Sequence, residues 1–265
     1  MIEIRPCAGF DELEACVQLQ IETWGVDASD TTPRKTFLLA QKIGGQVIGA
    51  FDTGPAGGQG TGGEAASLVG FVFSLPGVKT GKGEPRAYLH SHMLAVREEY
   101  RNRGLGKQLK LEQRLEALSR GIRYIEWTFD PLEIKNAFLN IHRLGATVRR
   151  YFVDFYGVSS SRLQAGLPTD RLLAEWRLDS PRVSSILEGS PASGQPIEEH
   201  IQVPASIYHW KATEAGWEKA LAVQLENRRK FHQAFSQGLA VVAFSRDAVG
   251  NGVFELGPPT QQELD

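Results

Sequence analysis

The chain has 265 residues, 42% apolar and 23% charged, so it carries enough apolar surface for a sizeable core of ordinary globular type. A formal net charge of −2 and a pI near 6.3 give no global basic field, which argues against a dedicated binder of nucleic acid or anionic membrane and leaves room only for a local basic patch. The longest apolar runs, such as Leu239 to Phe244, fall far short of the ~20 residues of a membrane helix. The opening residues lack a basic segment followed by an apolar run, and Cys7 and Cys16 are the only cysteines, so the expectation is a cytoplasmic protein with reduced thiols.

In chain order, "MIEIRPC" alternates as a strand, and Asp11 is the expected cap of a helix that runs through Leu13, Val17, Ile21 and Trp24. "RKTFLLAQKIGG" predicts a short helix ending at Gly44 or Gly45. "QVIGAFDTG" and "SLVGFVFSLPGV" predict paired strands, joined by a flexible glycine-rich loop from Gly54 to Ala66. "YLHSHMLAV" is a strand that runs into "REEYRNRGLG" and then an amphipathic helix with Leu105, Leu109, Leu115 and Leu118 on one face. "IRYIEWTFDP" predicts a strand, "LEIKNAFLNIHRLG" a helix closed by Gly145, and "ATVRRYFVDFYG" and "DRLLAEWRLD" further strands. From Ser180 to about Pro204 the composition predicts a linker or a long ordered loop, followed by a long helix from Thr213 and two strands around a turn between Leu239 and Gly257.

This order predicts an α+β fold: a mixed, mostly antiparallel central sheet with flanking helices, formed by residues 1–179, and a linker plus C-terminal α/β extension over 180–265 that packs on the main domain. The extension either roofs an acceptor cleft or supplies a homodimer surface; its sequence is consistent with both.

The helix start after the "MLAV" strand carries the wrong charge for its dipole. Arg101, Arg103, Lys107 and Lys110 crowd a helix N-terminus, where cations are repelled unless a bound anion completes the turn. Gly104 and Gly106 let the backbone approach that anion with its N–H groups. A Walker loop is excluded because Gln108 follows Lys107, and a dinucleotide fingerprint because Leu109 stands where its last glycine belongs.

The stretch "LAVREEYRNRGLG" resembles the acyl-coenzyme A signature of the GNAT superfamily of N-acetyltransferases, with Arg101, Gly104 and Gly106 in register, and "NAFLNIHRLGA" resembles the family's second motif. The resemblance implies that Leu94, Ala95 and Val96 hold the pantetheine arm by main-chain groups, and that Arg101, Asn102, Arg103, Gly104, Leu105, Gly106 and Lys107 hold the pyrophosphate. It further implies a fourth and a fifth strand, "YLHSHMLAV" and "IRYIEWTF", that splay apart around the thioester.

"HSHMLAV" is similar to the His-x-His-x-Leu-Ala-Val stretch of serotonin N-acetyltransferases, which implies proton removal through water by His90 and His92. The alternation of a strand puts both on one face. A zinc site needs a third ligand, and neither the cysteines nor His142, His200, His209 and His232 offer one, so no metal is expected.

In many relatives a tyrosine on the second-motif helix protonates the departing thiolate. Ile141 stands at that position here, and Tyr151 or Tyr156 on the next strand is the available substitute. Asp130 either binds the acceptor or caps the next helix, and Asn136 joins it as a substrate-binding expectation.

The resulting expectation is an acyltransferase that moves acetyl, or another short acyl group such as succinyl, from acetyl-CoA or another acyl-CoA to a primary amine of a small molecule such as an amino acid. Neither cysteine lies in the matched motifs, so direct transfer is expected over an acyl-enzyme. The alternative is an inactive acyl-CoA-binding regulatory module.

Overall fold

The computed structural model describes residues 1–54, 66–80, 84–190 and 194–260, and the expected glycine-rich loop falls almost wholly outside them. The chain forms two compact units, Met1–Ile125 with Ser160–Arg162, and Glu126–Ser159 with Leu163–Asp265.

In the first unit β1 (Ile2–Pro6), β2 (Gln46–Asp52), β3 (Ser67–Lys79) and β4 (Arg86–Val96) lie side by side in that order, every pair antiparallel. The two faces of β3 feed two cores, with a register shift at Val69. Phe71 and Phe73 of β3 join Leu13, Cys16 and Leu19 of α1 (Gly9–Trp24) and Phe37 of α2 (Arg34–Lys42), with Phe37 edge-on to Phe73 at 4.8 Å. Val69 and Val72 pack on the opposite side against Leu105 and Leu109 of α3 (Leu105–Ser119). Cys7 and Cys16 are buried free thiols with their sulfurs 3.8 Å apart.

Two local expectations are corrected here. The first turn of α1 is organised by Glu12, not Asp11: the helix starts at Gly9, and the Glu12 carboxylate accepts the Ala8 N–H at 2.7 Å and both arms of Arg5 at 2.7 and 2.8 Å. In α3, Leu115 is 56% exposed, and the buried stripe is Leu105, Leu109, Gln113 and Ala117, joined by Lys110. A strict i, i+4 row replaces the expected leucine row, and it admits two polar residues to the interior.

The strand β5 (Tyr124–Phe129) has its first two residues in the first unit and the rest in the second. The second unit adds α4 (Ile134–Ala137), β6 (Thr147–Phe152), β7 (Arg171–Arg177), α5 (Pro181–Leu187), β8 (Glu199–Val203), α6 (Ile207–Lys211), α7 (Glu214–Ser236), β9 (Ala240–Arg246) and β10 (Gly252–Gly257). Its strands run in the order β5-β7-β6-β9-β10-β8. Trp127 meets Trp176 edge-on at 5.8 Å, and Phe254 meets both Phe231 and Phe244.

The expected second-motif helix is instead one α turn followed by a wider π-type turn, Phe138–Arg143, closed at Gly145 in the left-handed region at φ 79°. The expected linker holds a helix and a strand: the Ser180 hydroxyl accepts the Val183 N–H to start α5, and β8 pairs with β10. The α+β class with mostly antiparallel strands stands. Among the described residues no helix is long and apolar enough to cross a membrane.

Candidate active site

The site is built on β4 and the loop that leaves it. In the β3–β4 ladder Phe73 faces Met93 and Ser74 faces Ser91, so His92 is an extra residue, a bulge in β4. The bulge sets the faces. Leu94 and Val96 pack toward α3, whereas Ala95 and Met93 pack toward α1 and α2. The His92 ring stands edge-on to Phe73 at 6.0 Å and 6.3 Å from the ring of His90, which puts both imidazoles on the α1 and α2 side.

His92 remains open to solvent, yet its pKa lies below the ordinary histidine value. The protein packed around the ring disfavours the imidazolium first, and the neighbouring His90 adds to this. The lowered pKa favours the neutral imidazole, the state a general base requires.

Beyond Val96 the chain makes a short turn at Glu98–Tyr100 and enters α3 through Arg101–Gly104. The Tyr100 hydroxyl donates to Asp52 at 2.7 Å, which anchors the turn to the end of β2. That bond, with the Gly54 N–H and the Met1 ammonium, holds the Asp52 carboxyl down at about 2. The Arg103 guanidinium lies 5.7 Å over the Tyr100 ring, and Arg101 Nε donates to the Val96 carbonyl at 2.9 Å. Asn102 and Gly104 take left-handed backbone at φ 61° and 81°, and a Cβ added at Gly104 meets nothing within 4 Å.

Left-handed residues at alternate positions turn successive N–H groups into a concave nest. The first turn of α3 has no side-chain cap and no acidic residue, and its first amide with a backbone acceptor is Gln108, bonded to the Gly104 carbonyl at 3.1 Å. Among the described residues nothing takes up the N–H groups of Leu105, Gly106 and Lys107. Open space, uncapped donors and two exposed arginines fit a diphosphate, and Leu105 to Lys107 would hold it with Arg101 and Arg103 at its edge.

The structure moves one expected member out of this group. Lys110 is 2% exposed and points inward, where its Nζ donates to Ser91 Oγ at 2.8 Å and to Gln113 Oε1 at 2.9 Å.

Tyr151, Asp130 and Asn136 belong to the second unit. The Tyr151 hydroxyl donates to Asp170 at 2.5 Å, and burial, then that bond, push it well above the usual tyrosine range, so it serves as a structural donor. Asp130 closes a turn by accepting the Leu132 N–H at 2.8 Å and receives Lys211 Nζ at 3.1 Å, while Asn136 is exposed on α4. The Tyr156 hydroxyl shares a 2.9 Å hydrogen bond with Thr128 Oγ1, and Ile141 is buried at 1% exposure. Among the described residues no cluster of three or more histidine, cysteine or carboxylate side chains is disposed to hold a metal ion.

A family model described as the acetyltransferase (GNAT) family matches residues 6–140. The chain belongs to the GNAT acetyltransferase family. It is similar in fold to NAA60 of Arabidopsis thaliana in complex with acetyl-CoA, at 19% identity and a TM-score of 0.53 over 68% of this chain and 100% of that one. It is likewise similar to yncA of Salmonella typhimurium with its cofactor acetyl-CoA, at 17% identity and a TM-score of 0.50 over 68% and 95% of the two chains. No curated protein matches the sequence. As a GNAT member the chain is an acetyltransferase whose acyl group comes from coenzyme A. The β4 strand, the nest and α3 all fall inside the matched residues.

Proposed function

We propose that this GNAT protein transfers an acetyl group from acetyl-CoA directly to the primary amine of a small molecule, such as an amino acid, with His90 and His92 as the proton-removing pair. The observation that carries the proposal is the pairing of two imidazoles on β4, the strand that leads into an uncapped, left-handed nest in the same unit.

A bound thioester supplies an activated acyl carbon and a thiolate leaving group. The amine is the harder partner, because an alkyl amine with pKa near 10.4 is only about 0.04% neutral at pH 7. His92, held neutral, takes the proton through a water, and His90 stands 6.3 Å away to pass it on. The bulge leaves main-chain groups around His92 out of the β3 ladder, and the Leu94 N–H is the donor we assign to the thioester oxygen. A thiol of pKa ~8.5 leaves tolerably as thiolate, which makes the absence of tyrosine at position 141 acceptable. Neither cysteine takes part, since both are buried in the first unit's core.

A small acceptor is favoured over a polybasic protein because no acidic run marks the chain. Ile141 in place of the family's tyrosine favours a second reading, a coenzyme-binding module without turnover. One experiment decides between them: free thiol release from acetyl-CoA, measured across a panel of amino acids and simple amines. Turnover supports the enzyme; none with any amine supports the module.

The same assay yields a pH prediction. The working base is the neutral form, and the pKa of His92 lies below its ordinary value, so kcat/KM holds on acidification until the pH is below ~6.5. A midpoint at 6.5 or above would contradict this assignment.

A further inference from the structure

The bulge in β4 poses a register problem. Which residue of the strand is the extra one decides which side chains face α1 and α2, because each step along a strand reverses the face. Moving the extra residue by one position would turn an imidazole toward α3. Something must therefore fix the residues on either side of it.

The side chains that do so lie on the opposite face. Ser91, between the two histidines, accepts from Lys110 Nζ at 2.8 Å, and Lys110 also donates to Gln113 Oε1 at 2.9 Å. The Gln113 carbonyl receives Gln46 Nε2 at 3.0 Å. Ser74, the ladder partner of Ser91, donates to Gln46 Oε1 at 3.0 Å and accepts the Gln46 N–H at 3.2 Å. Both serines of the register pair beside the bulge are thus tied into one buried polar chain that runs through α3, β2, β3 and β4. Ser74 and Gln113 are 0% exposed, Gln46 3% and Ser91 5%.

An apolar side chain would fill the Lys110 position at lower desolvation cost. Burial pushes the lysine well below its usual range, while its N–H groups still donate to Ser91 and Gln113. What the polar chain supplies beyond packing is direction, since a hydrogen bond specifies a single partner where an apolar contact does not.

We propose that Lys110 is a positioning residue: through Ser91 it pins the β4 bulge at His92 and so holds His90 and His92 together on the face where the amine is deprotonated. The inference rests on the acetyltransferase reading for its catalytic consequence, but the pin itself is testable apart from turnover.

The test uses the full chain with Ser91→Ala, Lys110→Met and Ser91→Thr, which keeps the hydroxyl. In histidine-ring NMR the wild type gives one resonance set each for His90 and His92. Ser91→Ala and Lys110→Met are expected to split or broaden both sets, and Ser91→Thr to restore single ones. In the thiol-release assay the first two variants are expected to lower kcat by about tenfold, the scale of a misplaced catalytic group, with KM for acetyl-CoA unchanged, and their combination to be no worse than either alone. Ser91→Ala is the mild variant should Lys110→Met fold poorly. Unchanged histidine resonances in Ser91→Ala, or an unchanged kcat, overturn the inference. Altered resonances with a wild type that acetylates no amine sustain the pin and overturn the acetyltransferase reading instead.

Discussion

Replacing His90 and His92 together by alanine is expected to lower kcat by ~10²- to 10⁴-fold, the usual worth of a general base, while KM for acetyl-CoA changes little. The separation follows from the faces of β4. Both imidazoles lie on the α1 and α2 side, whereas the nest begins beyond Val96 and its donors are backbone groups. Because the rings are 6.3 Å apart and are assigned to one proton path, the single variants should not sum to the double one. Steady-state kinetics on the four proteins checks this. A double variant within threefold of wild-type kcat would remove the histidines from the mechanism.

The largest effect on stability is expected in the second unit. Asp170 is 0% exposed, and its carboxylate is held by Arg228 Nε and Nη2, each at 2.9 Å, with Tyr151 donating at 2.5 Å and the Asp154 N–H at 3.1 Å. Arg228→Leu would leave that carboxylate buried without its counter-charge, at a cost of about 3 to 5 kcal/mol. Removing both charges in Arg228→Leu with Asp170→Asn should recover part of the loss, because no charge then stays buried alone. Urea unfolding of the single and double variants measures it, and a single-variant loss below ~1 kcal/mol would mean that the pair is not the anchor of Tyr151 and α7.

The chemistry-bearing features were legible because they are written in consecutive residues. Arg101, Gly104 and Gly106 mark the nest by residue type alone, and a His-x-His spacing on a strand puts two rings on one face. Features set by tertiary contact were not. The bulge at His92 depends on the register of β3 against β4, and the inward turn of Lys110 on partners 19 and 3 residues away in sequence, so helix periodicity alone grouped it with the exposed cations. Tyr151 reads as a possible acid from the sequence because what holds it is distant along the chain: Asp170 lies 19 residues beyond it, and Arg228 a further 58. Ser180 followed by Pro181 is a helix-start signal that the surrounding Ser, Pro and Gly composition masked.

The measurement that bears most directly on the central claim is the melting temperature of the chain with and without acetyl-CoA, repeated on Arg101→Ala with Arg103→Ala. A ligand at 100 times its Kd adds ~2.7 kcal/mol, a rise of several degrees, and the account predicts that rise for the wild type and its loss in the variant. No rise at millimolar acetyl-CoA, or an equal rise in the variant, would contradict the assignment of the nest between β4 and α3 as the coenzyme site.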